Sequence, residues 1–180
     1  MFTVPNLLGF FRLVAAPVVV ALILESQFLY GFWLFVVAGL TDALDGPIAR
    51  HLKQTNKFGL YLDPAADKIL VNSAYMTAAY VGFLPWWIAA LVLARDVLIV
   101  GTIGVAHLLK VDIYVKPTDW SKTNTGFQIA LIGLVLGQPA FNLDLGDYIP
   151  ILIWFTALAT VLSGGMYLFR WIRNLFEERK

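Results

Sequence analysis

Four aspartates in the segment 41–70 are the residues of this sequence best suited to chemistry. Asp42 and Asp45 are three residues apart, and Asp63 and Asp67 are four residues apart. Both spacings place two carboxylates on one face of a helix. Carboxylate oxygens are ligands that suit Mg²⁺ and Mn²⁺, and carboxylates commonly hold Mg²⁺ together with phosphates. The pattern therefore indicates a shared site for divalent cations and a phosphorylated ligand.

The apolar surroundings of these aspartates favour the same interpretation. A single aspartate at the centre of a membrane helix costs roughly 2.5–3.5 kcal/mol, so four of them need water or cations as partners. Two divalent ions, about 3.5–4 Å apart, can clamp a pyrophosphate during a displacement reaction. Gly46 and Gly59 lie close to the aspartates in sequence and leave room for a nucleotide to approach.

The elements that must position the aspartates are long and apolar. Hydrophobic residues make up 59% of the chain of 180 residues, charged residues make up 14%, and the mean hydropathy is +0.75. A spanning helix needs about 20 mostly apolar residues. Six such runs are present, at roughly 7–25, 28–50, 60–84, 86–109, 125–143 and 148–171. The sequence predicts an all-α membrane protein with six transmembrane helices and one domain over residues 1–180.

The distribution of Lys and Arg predicts the orientation of these helices. Basic residues flank alternate loops and the C-terminal tail, at Arg50, Lys53, Lys57, Lys110, Lys116, Lys122, Arg170, Arg173, Arg179 and Lys180. The loops at 25–27, 84–86 and 142–147 carry none. By the positive-inside rule, both termini face the cytoplasm, or the equivalent side of an organellar inner membrane. We therefore expect a multi-pass inner-membrane protein.

Composition also excludes several functions. The net charge of +1 is too small for a protein that follows a nucleic-acid backbone. The absence of cysteine excludes disulfides, thiolate nucleophiles and cysteine-based zinc sites. The pattern Gly133-x-x-x-Gly137 and the pair Gly164-Gly165 predict close helix contacts, within one chain or between two.

The segment resembles the signature of the CDP-alcohol phosphotransferase family, D-x2-D-G-x2-A-R-x8-G-x3-D-x3-D, at every fixed position. The resemblance implies a six-helix membrane bundle, usually a homodimer, that binds two divalent ions, Mg²⁺ or Mn²⁺. It implies that Asp67 both helps to bind metal and acts as the general base on the acceptor hydroxyl, and that the first three aspartates hold metal. The CDP-binding residues that it implies are Asp42, Asp45, Gly46, Ala49, Arg50, Gly59 and Asp63.

Further residues bear on the acceptor alcohol. The segment KPTDWSKTNTGFQ, which contains Lys122 and Asn124, is similar to the cardiolipin-forming branch of that family, in which phosphatidylglycerol accepts a phosphatidyl group from CDP-diacylglycerol and CMP is released. The alternative is the branch that uses glycerol 3-phosphate and tends to carry a second lysine at the position of Asn124. One lysine suits a monoanionic diester better than a nearly dianionic monoester.

Three basic residues lie inside the predicted spans, namely Arg12, Lys68 and Arg95. Arg95 and Arg12 are predicted to bind the acceptor, with pairing to another helix as the alternative for both. Arg95 and Asp96 are adjacent, so their side chains are expected to diverge around the helix. Lys68 is expected to extend its ammonium group toward the membrane surface, and neutralisation of the acidic cluster is the alternative.

Two functions of other classes remain open at this point. The aspartates could form the permeation site of a cation transporter, although no internal repeat is visible and a transport site does not require the Gly-Ala-Arg spacing. A catalytically silent scaffold is disfavoured because every residue of the signature is intact. Release of CMP from CDP-diacylglycerol distinguishes an enzyme from both.

Overall fold

The computed structural model describes the backbone of residues 4–52, 59–108 and 119–177, and the side chains of 9–41, 66–102, 120–121 and 123–173. Six helices account for most of this described backbone: α1 (Val4–Leu24), α2 (Phe28–Leu52), α3 (Gly59–Tyr80), α4 (Trp86–Leu108), α5 (Asp119–Phe141) and α6 (Tyr148–Glu177). The prediction of six helices in an all-α fold is therefore confirmed.

Three of the predicted boundaries were wrong. Helix α3 ends at Tyr80, because the turn before Pro85 is longer than the sequence indicated. Helix α5 begins at Asp119 and not at residue 125, so Lys122 lies in its first turn and not in a loop. Helix α6 continues to Glu177, several residues past the predicted end of its apolar run. Helical hydrogen bonding extends beyond hydrophobic patterning wherever polar residues can still form the ladder.

The helices pack around one core. Helix α1 packs against α2 and α3, α5 packs against α2, α3 and α6, and α4 packs against α3 and α6. The core is built from small and branched side chains, including Val19, Ile23, Ala74, Ile88, Leu131 and Leu136. Gly137 lets α5 approach Phe32 of α2, since a Cβ there would lie 3.4 Å from the ring, and Gly164 similarly faces the Arg95 side chain. The predicted close contacts are confirmed at these two glycines, whereas Gly133 and Gly165 have open space beside them.

Helices α1, α3 and α5 end in the same type of turn. In each case a residue with positive φ follows the helix, namely Ser26, Gly82 and Asn142. The next amide donates to the carbonyl five residues earlier: Gln27 to Leu22, Phe83 to Ala78 and Leu143 to Gln138. These are the bonds of the Schellman motif, which satisfies carbonyls at a helix end. All three turns lie in the loops without basic residues.

Large apolar side chains cover much of the outer surface. Among the most exposed are Tyr30, Tyr80, Val100, Trp154 and Phe169. Within the described residues, Tyr148–Arg173 meets the length and hydropathy expected of a membrane-spanning helix, and Gly9–Leu24 and Phe28–Thr41 are shorter apolar stretches. Charged and amide residues lower the hydropathy of α3 and of the first half of α5. The spanning role of the other helices stays a prediction.

Candidate functional site

The four aspartates of the signature lie on two consecutive helices. Asp42 and Asp45 are in the second half of α2, and Asp63 and Asp67 are in the first half of α3. Because both segments are helical, the spacings of three and four residues place each pair on one helix face, as predicted. Residues 53–58 join the two helix ends, and α2 packs against α3. The helix positions of the four aspartates are compatible with the predicted cation site, which stays a prediction.

Asp67 is the member of this set whose side chain the structure describes. It is partly exposed, whereas its neighbours Ala66 and Leu70 are buried. The side chains of the other three aspartates, and those of Gly46, Ala49, Arg50 and Gly59, lie outside the described residues. No group of three or more His, Asp or Glu is found among the side chains that are described. The metal and CDP assignments therefore remain predictions that rest on helix placement.

A buried charge network lies directly beside Asp67. Lys68 Nζ and Arg95 Nη1 both contact Asp96 Oδ1, at 2.9 and 2.8 Å, and Asn72 Nδ2 donates to Asp96 Oδ2 at 2.9 Å. Arg95 and Asp96 are almost completely buried. One carboxylate thus pairs with two cations and one amide. Buried charges are stable only when they are paired and hydrogen bonded, and Asp96 meets both conditions.

Two expectations about this network were wrong. Lys68 does not extend toward the surface, because Asp96 offers it a closer partner. Arg95 and Asp96 do not diverge, because the long Arg95 side chain reaches back to the adjacent carboxylate. The sequence showed both charges but no partner for Lys68, since residues 68 and 96 meet only through packing of α3 on α4. Asn72, one turn after Lys68, was missed altogether, although its spacing from Lys68 was a usable signal.

The second terminal nitrogen of Arg95 is also occupied by protein. Arg95 Nη2 donates to Ser121 Oγ of α5 at 2.7 Å and to Ser163 Oγ of α6 at 2.9 Å. This is the alternative considered for Arg95, a structural partner of other helices. The predicted contact between Arg95 and an acceptor phosphate has no support in this geometry, because both terminal nitrogens already have protein partners.

Asn124 belongs to a second buried polar cluster. Its side chain is completely buried and its Oδ1 accepts a hydrogen bond of 2.9 Å from Thr160 Oγ1 of α6. Gln128 lies one turn further along α5, and its backbone carbonyl accepts a hydrogen bond from Tyr75 of α3. Asn124 Nδ2 has no hydrogen-bond partner among the described residues. The predicted contact of Asn124 with the acceptor stays a prediction.

The remaining acceptor candidates are Arg12 and Lys122. Arg12 is completely buried in α1, which packs against the two helices that carry the aspartates. Lys122 follows Ser121 in the first turn of α5, and its side chain lies outside the described residues. Their roles as acceptor ligands stay predictions.

Residues 2–164 match the model of the CDP-alcohol phosphatidyltransferase family, so the chain belongs to that family. It is 38% identical over 156 residues to a protein of Drosophila melanogaster named as a probable CMP-forming cardiolipin synthase. It is 34% identical over 181 residues to the CMP-forming cardiolipin synthase of Homo sapiens. A third relative is a chloroplastic CDP-diacylglycerol–glycerol-3-phosphate 3-phosphatidyltransferase of Oryza sativa, at 32% identity over 181 residues.

The lengths of the relatives differ from that of this chain. The aligned regions cover 78%, 92% and 88% of this chain. They cover 48%, 60% and 54% of the fly, human and rice proteins. The chain thus spans about half to three fifths of the curated relatives that it matches.

Proposed function

We propose that this chain is a CMP-forming cardiolipin synthase, which transfers a phosphatidyl group from CDP-diacylglycerol to phosphatidylglycerol. The observation that carries the proposal is the complete family signature, with its aspartate pairs on the adjoining ends of α2 and α3. Membership of the family supports the transferase class, and the two cardiolipin synthases among the relatives support the acceptor. A cation transporter or a silent scaffold is disfavoured on the same grounds.

In the proposed reaction, a hydroxyl of phosphatidylglycerol attacks the phosphorus of the lipid-linked phosphate of CDP-diacylglycerol. The new bond joins the acceptor oxygen to that phosphorus, and the bond from the phosphorus to the oxygen bridging to CMP breaks. The acceptor hydroxyl transfers its proton to Asp67, and CMP leaves with the bridging oxygen. A carboxylate can serve as such a base when it lies within hydrogen-bond reach of the hydroxyl.

The proposal includes a site that binds two divalent metal ions. Asp42, Asp45, Asp63 and Asp67 would hold Mg²⁺ or Mn²⁺, because their oxygens are the donors that these ions prefer. When bound, such ions neutralise the pyrophosphate and stabilise the oxygens of the displacement. The residues Asp42, Asp45, Gly46, Ala49, Arg50, Gly59 and Asp63 are proposed to form the CDP subsite.

The proposal also covers the setting of the enzyme. We infer one domain with all six helices in an inner membrane, both termini on the cytoplasmic side, and a homodimer as the assembly. The exposed apolar side chains around the bundle support insertion in lipid, since water would not favour Trp154 or Phe169 in such positions. Lipid substrates could then enter from the same phase.

The deciding experiment compares two acceptors on purified protein in detergent. The protein is incubated with CDP-diacylglycerol, Mg²⁺ and either phosphatidylglycerol or glycerol 3-phosphate, and the lipid products are separated by thin-layer chromatography. We expect cardiolipin and CMP from the first acceptor and little product from the second. A preference for glycerol 3-phosphate would assign the protein to the alternative branch, which the rice relative represents.

The same assay tests the metal requirement. EDTA is expected to abolish CMP release, and added Mg²⁺ or Mn²⁺ to restore it, because clustered carboxylates repel a pyrophosphate in the absence of cations. Zinc-free buffers and a calcium-specific chelator serve as controls. Full activity in excess EDTA would contradict the metal assignment.

A further inference from the structure

We propose that Asp96 is a positioning residue that holds the base-bearing helix α3 and the lysine-bearing start of α5 in a fixed relation. The inference rests on the proposed function, since its main readout is transfer to phosphatidylglycerol. Through two cations, Asp96 connects the residue after Asp67 with the residue before Lys122. None of the roles derived from the family signature involves Asp96, Ser121 or Ser163.

The first half of the connection runs from α4 to α3. Asp96 Oδ1 contacts Lys68 Nζ at 2.9 Å, and Asp96 Oδ2 accepts from Asn72 Nδ2 at 2.9 Å. Asn72 Nδ2 also donates to the Lys68 carbonyl at 2.9 Å. Consecutive residues of an α-helix are about 100° apart around its axis. A helix that is held at Lys68 and Asn72 cannot rotate, so the direction of Asp67 is held with it.

The second half runs from α4 to α5. Asp96 Oδ1 fixes the Arg95 guanidinium through Nη1, and Arg95 Nη2 then donates to Ser121 Oγ at 2.7 Å. Helix α5 packs against α2, α3 and α6, whereas α4 packs against α3 and α6. The Arg95–Ser121 bond therefore connects two helices that have no direct packing contact within the described residues. It acts in the first turn of α5, where Lys122 follows.

The charges explain why Asp96 is the centre of this arrangement. Lys68 and Arg95 are both cations, and a buried cation without a counterion is strongly unfavourable. Asp96 is the carboxylate that both of them contact at less than 3 Å. If it becomes neutral, the two cations repel each other and both halves of the connection loosen together.

The hydrogen bond from Arg95 to Ser121 of α5 has a matched control in the hydrogen bond from Arg95 to Ser163 of α6. Ser121 and Ser163 accept from the same Arg95 Nη2, at 2.7 and 2.9 Å. Ser121 adjoins Lys122, whereas Ser163 lies on α6 and adjoins no residue of the proposed site. Replacing either serine by alanine removes one hydroxyl from one nitrogen. The two variants thus separate the positioning of α5 from a general loss of hydrogen bonding.

The experiment measures kcat, the KM of each lipid and the melting temperature in detergent for the full chain. For Ser121→Ala we expect the KM of phosphatidylglycerol to rise about tenfold, with the KM of CDP-diacylglycerol within twofold of the wild type. Ser121→Thr keeps the hydroxyl and is expected to restore the wild-type KM. Ser121→Ala and Ser163→Ala are expected to lower the melting temperature by similar amounts. Ser163→Ala is expected to leave the ratio of the two KM values unchanged. Asp96→Asn is expected to lower kcat by up to ~10²-fold, the effect of a small misplacement of catalytic groups, and Asp96→Glu to recover part of it.

The outcomes are distinguishable. Wild-type protein that releases no CMP with either acceptor would overturn the proposed function, and this inference with it. Active wild-type protein with identical kinetics in Ser121→Ala and Ser163→Ala would overturn the inference alone. If Asp96→Asn does not fold, the two serine variants still decide, because neither of them removes a charge.

Discussion

Asp67 and Lys68 are neighbours in α3 with different tasks. Asp67 is partly exposed, whereas Lys68 binds Asp96 of α4. The same division applies along α5, where Ser121 contacts Arg95 and the next residue is Lys122. At the scale of single residues, Lys68 and Ser121 hold the helices on which the proposed site residues Asp67 and Lys122 lie.

The role of Asp67 can be separated from that of the other aspartates. In Asp67→Asn, the amide can still offer one oxygen to a metal but is too weakly basic to accept the proton of the acceptor. Turnover is expected to fall by at least ~10²–10⁴-fold, as for removal of a general base, while affinity for CDP-diacylglycerol is largely kept. In Asp42→Asn, both are expected to fall.

The measurement is CDP-diacylglycerol affinity and CMP release for both variants in detergent with excess Mg²⁺. Near-normal turnover in Asp67→Asn would place the base elsewhere. Equal loss of affinity in the two variants would show that Asp67 is chiefly a ligand.

Asn124 leads to a prediction that the sequence would have framed differently. The branch of the family that uses glycerol 3-phosphate tends to carry a lysine at this position. The sequence alone therefore predicts that Asn124→Lys raises the use of glycerol 3-phosphate as acceptor. Because the side chain is buried against Thr160, the new ammonium would have no hydrogen-bonded carboxylate among the described side chains. We expect Asn124→Lys to destabilise the protein strongly, and Asn124→Ala to cost about 1–3 kcal/mol because the Thr160 hydroxyl loses its acceptor.

Thermal unfolding of the two Asn124 variants in detergent checks this expectation. Thr123→Ala, which changes an exposed side chain in the same turn, is the control. A stable Asn124→Lys protein that gains activity on glycerol 3-phosphate would contradict the burial argument and restore the role in specificity.

The residues that could be predicted share one property. The four aspartates follow helix spacing, so their common face depends only on local geometry. The Lys68–Asp96 and Arg95–Ser163 contacts join residues 28 and 68 positions apart, and their existence depends on which helices pack together. Helix spacing can be taken directly from a single sequence. Contacts between distant helices can be known only from the complete fold.

At the scale of elements, the three Schellman turns show how each helix end tolerates a left-handed residue. Gly82 adopts φ of +85° without steric cost, and asparagine visits this region readily. Ser26, with φ of 60°, has no such advantage. The helix before each of these turns was predicted from hydropathy. The turn type was not, because it depends on backbone hydrogen bonds from the amides of residues 27, 83 and 143.

These turns yield a stability prediction. Left-handed conformation costs a non-glycine residue roughly 1–2 kcal/mol, and the added freedom of glycine in the unfolded chain costs about 0.4–1 kcal/mol. Ser26→Gly is therefore expected to stabilise the protein by about 0.5–1 kcal/mol. Gly82→Ala is expected to destabilise it by about 1 kcal/mol through the backbone alone, since a Cβ there meets no atom within 4 Å.

Melting temperatures in one detergent measure these effects. Asn142→Gly is the matched control, and we expect it to gain less than Ser26→Gly. A loss of stability in Ser26→Gly would show that its hydroxyl contributes more than the backbone strain removes.

At the scale of the whole molecule, the loops without basic residues and the loops with them lie at alternate ends of successive helices. The described turns at 25–27, 81–85 and 142–147 connect α1 to α2, α3 to α4 and α5 to α6. The proposed metal site lies on the helices that meet at the basic loop 53–58. By the positive-inside rule, we expect the proposed reaction on the cytoplasmic side.

The natural absence of cysteine makes this topology directly testable. A single cysteine replacing Lys57 is expected to react with a membrane-impermeant maleimide in inside-out vesicles only. A cysteine replacing Asp144 is expected to react in right-side-out vesicles only. Labelling after detergent treatment controls for accessibility, and the reverse pattern would invert the proposed orientation.

The hydrogen bonds that Arg95 donates to Ser163 and that Thr160 donates to Asn124 have a consequence for biosynthesis. Both depend on α6, which is translated after α4 and α5, yet they satisfy polar groups in these earlier helices. A nascent chain that has reached α5 carries a guanidinium and a carboxamide that still lack these partners. Such a chain should stay associated with the insertion machinery until α6 arrives, and truncation before residue 160 should yield a product that quality-control proteases remove.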